Sequence, residues 1–282
     1  MKIGLNMMLW TTNVTEEHFH IFEKLKAVGY DGVEIPILGS DPKPEEYEAI
    51  AKGLSDNGLQ CSSSTAMPDE NHNAISPDPA KRANAVNYMK QIIDCSKAVG
   101  ADVLIGPFYQ TLGIFTGNGP TEDEKKYAIE THKEMAEYAS SQGVDLAVEF
   151  LNRFECHFLN TLGAAAELAK AVDNPAFGTM LDTFHANMEE KDTVAAIKEH
   201  GSTLKHVHIS ENDRGTPGRG HIQFDAIFKA FKEVGYDGWY TIEAFGLALP
   251  ELAAACRIWR RFFESEEEVY TEGFKLINSL TK

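Results

Sequence analysis

Along the whole chain, short apolar runs alternate with longer stretches in which apolar residues recur every three to four positions. The runs begin near Ile3, Gly32, Gln60, Val103, Leu146, Gly178, His206 and Trp239, and each has the length of a buried strand. The stretches between them read as amphipathic helices. Val86, Met89 and Ile93 lie on one face of a helix that opens at Asp78-Pro79, an N-cap followed by proline at the first helical position. Thr121-Glu122-Asp123-Glu124 reads as a capping box. Gly29, Gly100, Gly143 and Gly235 each follow a helical pattern, each has aspartate two positions on, and each leads into an apolar run. A glycine at a helix end enters the left-handed region without a Cβ clash. A repeated helix–glycine–strand unit calls for parallel strands joined by helical crossovers.

Eight such units with no evident linker predict an α/β fold, a single (β/α)8 TIM barrel over residues 1–282, with the helical stretch 251–280 as a C-terminal extension. A doubly wound open sheet is disfavoured. Asn6-Met7-Met8-Leu9-Trp10, after the first run, offers no glycine-rich phosphate turn. The longer connections, 68–78, 108–121 and 210–223, all follow strands. They therefore lie on the face where such barrels carry their chemistry.

Side chains alternate along a strand. With Val148 toward the helices, Ala147 and Glu149 face the barrel interior. The same parity turns Met180 and Asp182 inward, as well as His206 and His208, and Thr241 and Glu243. A carboxylate inside a barrel is costly unless paired or metal-bound, so Glu149, Asp182, His208 and Glu243 together predict a bound cation. Each alone has a plainer reading: Glu149 as a partner of Arg153, Asp182 as a helix N-cap, His208 as a hydrogen-bonded interior histidine. His206, one layer deeper, reads as structural, and Glu34 at the end of the second run as a supporting residue. A donor set of oxygens with one imidazole suits a divalent metal, Mn²⁺ first and Co²⁺ or Mg²⁺ next, better than it suits zinc.

Charge and composition narrow the partners. There are 26 Lys and Arg residues against 43 Asp and Glu, a net charge of −17, which argues against a nucleic-acid partner. Hydrophobic residues make up 43% of the chain, enough for a large core. Cys61, Cys95, Cys156 and Cys256 show no CxxC spacing, so reduced thiols and a cytoplasmic location are expected. No apolar run of about 18 residues and no leader-like segment before the first strand are seen, so no membrane partner is expected.

Leu151-Asn152-Arg153-Phe154-Glu155, Leu181-Asp182-Thr183-Phe184-His185 and His206-Val207-His208-Ile209-Ser210-Glu211 resemble the ketose 3-epimerases. These are the D-tagatose and D-psicose 3-epimerase group of the xylose-isomerase-like barrels. Asn212-Asp213-Arg214, followed by Pro217-Gly218-Arg219-Gly220, is similar to that group's strand-seven loop. The resemblance runs along the chain in element order, and its sharp motifs lie between Glu149 and Phe245. It implies a metal-dependent enzyme that inverts C3 of a free ketose of D-tagatose, D-psicose/D-fructose or L-ribulose type. It also implies Glu149, Asp182, His208 and Glu243 as metal ligands, with Glu149 and Glu243 serving as the acid/base pair. Glu155, His185 and Arg214 would hold the O1–O3 end of the sugar, and the protein would form a homodimer or homotetramer. Trp10, Phe108, Tyr109 and Phe245 are expected to form the apolar wall of the substrate site. The chain departs from the group in its strand-four loop and in Ala244, where proline is common. An aldose–ketose isomerase on the same metal site is the alternative reaction. A non-catalytic sugar-binding protein is the alternative from another class.

Overall fold

The computed structural model describes residues Met1–Lys282. The strands are β1 (Lys2–Leu5), β2 (Gly32–Pro36), β3 (Gln60–Ser64), β4 (Val103–Gly106), β5 (Asp145–Glu149), β6 (Phe177–Asp182), β7 (Leu204–Ile209) and β8 (Trp239–Ile242). Every predicted start lies within two residues of the observed one. The helices are α1 (Phe19–Val28), α2 (Glu48–Asp56), α3 (Pro79–Val99), α4 (Glu122–Gln142), α5 (Leu162–Val172), α6 (Thr183–Glu189), α7 (Thr193–His200), α8 (Phe224–Glu233), α9 (Pro250–Ala255) and α10 (Glu266–Thr281).

The strands pair in parallel in the order β1-β8-β7-β6-β5-β4-β3-β2. A parallel bridge between Asn6 and Glu34 brings the two ends together, so the eight strands form a nearly closed barrel. The helix ends behave as the glycine echo requires. Gly29 and Gly100 follow α1 and α3 with φ of 119° and 83°, and Gly143 after α4 is also left-handed. The capping box at Thr121 and Glu124 and the Asp78 cap are both present. Each such cap stabilises its helix by about 1 kcal/mol.

The main core lies between the strands and the helices, where 67 buried apolar residues form one cluster. A separate small cluster of Val103, Ile105, Ala147, Met180 and Trp239 fills the barrel interior, as strand parity requires. Trp239 occupies the N-terminal end of the barrel because glycines leave it room. A Cβ on Gly32 would stand 2.6 Å from the indole and 2.2 Å from the Gln60 carbonyl oxygen. Above this floor the interior becomes polar.

The C-terminal stretch departs from expectation. The helical segment predicted across 251–280 is split into α9 and α10. Arg257 takes a left-handed φ of 60°, which ends the first helix, and Ser265 caps the second by accepting from the Glu268 amide.

Candidate metal and substrate site

The ends of β5 to β8 bring the four predicted ligands together. The register pairs Glu149 with Met180, Asp182 with His208, and His208 with Thr241. One donor atom from each of Glu149, Asp182 and His208 lies within 4.8 Å of the others, and all three residues are buried. Glu243 stands beside this cluster. Its Oε1 is 3.4 Å from His208 Nδ1, and its Oε2 accepts from Arg214 Nη1 at 2.6 Å. The same Arg214 nitrogen donates to Asp182 Oδ2. The plainer readings meet different fates. Asp182 does cap α6, with Oδ1 accepting from the Phe184 amide at 2.7 Å, yet its other oxygen faces the site. Glu149 is not paired with Arg153, which binds Glu189 instead.

The electrostatics separate the two glutamates. Burial pushes the Glu149 carboxyl well above its usual range, and the neighbouring Glu243 adds to this. Burial acts on Glu243 in the same direction, but His208 and Arg214 outweigh it and hold Glu243 below its usual range. Burial and a like charge thus act on Glu149, while two basic neighbours stabilise the Glu243 carboxylate. Burial, helped by Arg214, lowers His185 to about 3, so its ring is neutral. The Asn152 amide donates to His185 Nδ1 at 3.0 Å, which leaves the ring proton on Nε2. That nitrogen lies 3.0 Å from Arg214 Nη2. Arginine only donates, so with the proton on Nε2 the two groups face each other as donors, a contact that an acceptor oxygen placed between them would relieve. Glu155, pushed upward by burial, accepts from Asn152 Nδ2 at 2.7 Å.

The residues fit a divalent cation. Glu149, Asp182 and Glu243 are buried around Arg214 as the one permanently charged base. His208 Nδ1 is buried without a hydrogen-bond partner. An acidic surplus and an orphaned imidazole nitrogen in the same cluster are relieved together by a metal ion.

Above the cluster opens a cavity of about 210 Å³, lined by Glu149, Glu155, His185, Arg214 and Glu243 on one side. Met8, Leu38, Leu112, Phe245, Leu252 and Cys256 contribute to the remainder, with Ser64 and Thr65. Of the expected wall, Phe245 lines this cavity, whereas Trp10, Phe108 and Tyr109 do not, and that expectation is corrected. A 3-10 turn at Met7–Leu9 presents Met8 to the cavity and leaves Trp10 against Tyr270, with ring centroids 6.1 Å apart. Gly106 turns sharply at the end of β4, with φ of 139°, so strand parity does not carry past it. Phe108 packs instead on His132 and Phe177. Tyr109 packs on Phe158, and its hydroxyl meets Cys156 Sγ at 3.2 Å. The sequence reading missed Leu38, Ser64 and Thr65. Their position at the C-terminal ends of β2 and β3 was a usable signal. Leu252 and Cys256 had none, because they reach the site through the packing of α9.

Residues 22–279 match the family described as xylose isomerase-like TIM barrel. A ketose 3-epimerase of Arthrobacter globiformis is 30% identical, covering 95% of this chain and 93% of the relative. A solved L-ribulose 3-epimerase superposes with a TM-score of 0.91 at 27% identity, covering 99% of this chain and 94% of its own. The D-psicose 3-epimerase of Clostridium cellulolyticum H10, solved with D-tagatose, gives 0.89 at 26% identity over the whole of both chains. The chain therefore belongs to the xylose isomerase-like TIM barrel family, among relatives named as ketose 3-epimerases.

Proposed function

We propose that this protein is a divalent-metal-dependent isomerase that inverts C3 of a free ketose through an enediolate. The observation that carries this reading is the placement of Glu149 and Glu243, which come from separate strands, line one cavity and stand beside the buried Asp182 and His208. Glu149, Asp182, His208 and Glu243 would hold the ion, with Mn²⁺ preferred and Co²⁺ or Mg²⁺ as alternatives. When bound, such an ion polarises the ketone and stabilises negative charge on the enediolate. One glutamate removes the C3 proton and the other returns a proton to the opposite face. His185 and Arg214 donate to sugar oxygens, and Glu155, oriented by Asn152, accepts from a hydroxyl.

The cavity lining supports an uncharged substrate, because its one Lys or Arg side chain, Arg214, is already paired with Asp182 and Glu243. Met8, Leu38, Leu112 and Leu252 offer no cation for a phosphate. The names of the relatives point to D-psicose, D-tagatose and L-ribulose as the first sugars to try. We read the chain as one barrel domain, 1–282, with α9 and α10 as its extension, and as a homodimer or homotetramer. Exposed Leu112, Ile114, Phe115 and Phe154 near the cavity mouth support association. Four unpaired cysteines are in keeping with a cytoplasmic setting, and no helix is long and apolar enough to cross a membrane.

The test is a panel of free ketohexoses and ketopentoses incubated with Mn²⁺ in D₂O. A C3 epimer carrying deuterium at C3 is expected. An aldose product would instead place proton transfer between C1 and C2, and unchanged sugar throughout would favour a non-catalytic binding role.

A further inference from the structure

Beneath the proposed ligands lies a layer of polar side chains that the reaction above does not use. Glu34 sits in the middle of β2, inside the barrel, with no solvent exposure. Its Oε1 accepts from Asn6 Nδ2 at 2.8 Å and meets His208 Nε2 at 2.9 Å. Its Oε2 accepts from Ser62 Oγ at 3.0 Å and lies 3.0 Å from His206 Nε2. Glu34, His206 and His208 are close enough to hold an ion themselves. Both Glu34 oxygens are already engaged, however, and such a carboxylate is an anion held by hydrogen bonds.

This arrangement dictates the state of His208 as a ligand. A neutral imidazole carries one N–H, and an ionised carboxylate only accepts. The proton facing Glu34 must therefore sit on Nε2. The lone pair is then left on Nδ1, the nitrogen that is buried without a hydrogen-bond partner and stands 3.4 Å from Glu243. A proton on Nδ1 would remove the imidazole from the cluster.

We infer that Glu34 is a positioning residue, holding His208 in the Nε2–H tautomer so that Nδ1 is its metal-binding atom. Asn6 extends the network, since its Nδ2 also lies 3.3 Å from Glu243 Oε1 and so ties Glu34 to the second glutamate. The inference rests on the metal reading given under Proposed function. Asn6 and Glu34 also bridge the barrel seam, so a loss of stability alone would not distinguish positioning from scaffolding. The test must read the metal and the proton.

Mn²⁺ binding to metal-free wild type and to Glu34→Gln is followed by the electron paramagnetic resonance of free Mn²⁺, with circular dichroism to verify the fold. Saturable binding by the wild type is expected, with a dissociation constant raised about 10- to 100-fold in the variant. In wild type saturated with diamagnetic Mg²⁺, ¹⁵N correlation spectra should place the His208 proton on Nε2, the signal being assigned by its loss in His208→Gln. Equal Mn²⁺ affinity in a folded Glu34→Gln overturns the inference, as does a His208 proton on Nδ1. The second measurement decides the matter even if Glu34→Gln does not fold. Absence of saturable metal binding by the wild type would overturn the metal reading itself, and is distinguishable because it appears before any variant is compared.

Discussion

Glu149 and Glu243 carry the same side chain and are driven in opposite directions by their surroundings. His208 and Arg214 act closely on Glu243, while Glu149 has burial and a like charge against it. Glu149→Gln and Glu243→Gln keep the shape but cannot exchange the proton, and each is expected to lower turnover by at least about 10²-fold. Chromatography of the sugar product measures this, and wild-type rates in either purified variant would refute the assignment. A residue outside the site makes a separate prediction about stability. His132 is buried between Phe108 and Phe177, and burial lowers it to about 4. Its folded value lies below the unfolded one, so the unfolded chain takes up the proton first. The native state keeps its full margin above pH 6.5 and loses it as the pH falls from there toward 4. Between pH 7 and pH 5 the loss from this one group is roughly 2 kcal/mol. Urea unfolding at both pH values should show that slope reduced by about this amount in His132→Leu. An unchanged slope would mean that His132 is not the titrating group.

Among the elements, the strand-seven loop is held largely by one side chain, with help from Asn212 and Asp213. Glu211 is buried, and it accepts from the amides of Asn212 at 3.0 Å, Gly218 at 2.9 Å and Ile222 at 3.1 Å. Its own carbonyl accepts from the Arg214 amide at 3.0 Å, and Arg214 is held at a φ of 65°. The loop therefore presents the guanidinium between Phe184 and Phe245 and against both Asp182 and Glu243. Glu211→Ala would leave three amides without their acceptor, at a cost of roughly 3 kcal/mol if each loses about 1. Trypsin should then cut after Arg214 or Arg219 well before it cuts the wild type. Equal digestion rates would show that the loop holds its form by other means. Strand parity was sound along the strands and one residue past β8, at Glu243, but failed past β4. Past Gly106 the chain turns, and Phe108 and Tyr109 go to the helix side instead of the cavity.

For the whole molecule, the prediction concerns the metal as a ligand of the native state. Chelation should abolish epimerisation, and Mn²⁺ or Co²⁺ should restore it. An ion that binds only the folded chain stabilises it by about 2.7 kcal/mol at 100 times its dissociation constant. The chelated protein should therefore melt several degrees lower in a thermal scan. Full activity and an unshifted melt after complete metal removal would contradict the metal role. The order of the eight strands, their starts and the inward direction of Glu149, Asp182, His208 and Glu243 were all legible in the sequence. These depend on local periods of two and 3.6 residues and on glycines at helix ends. The tertiary structure alone decided the bridging position of Arg214 and the Glu34 network beneath His208. It alone exchanged Trp10, Phe108 and Tyr109 for Met8, Leu38 and Leu252 on the cavity wall. Those outcomes depend on which residues meet across strands far apart in the chain and on how loops turn after a strand ends, and no local pattern records either.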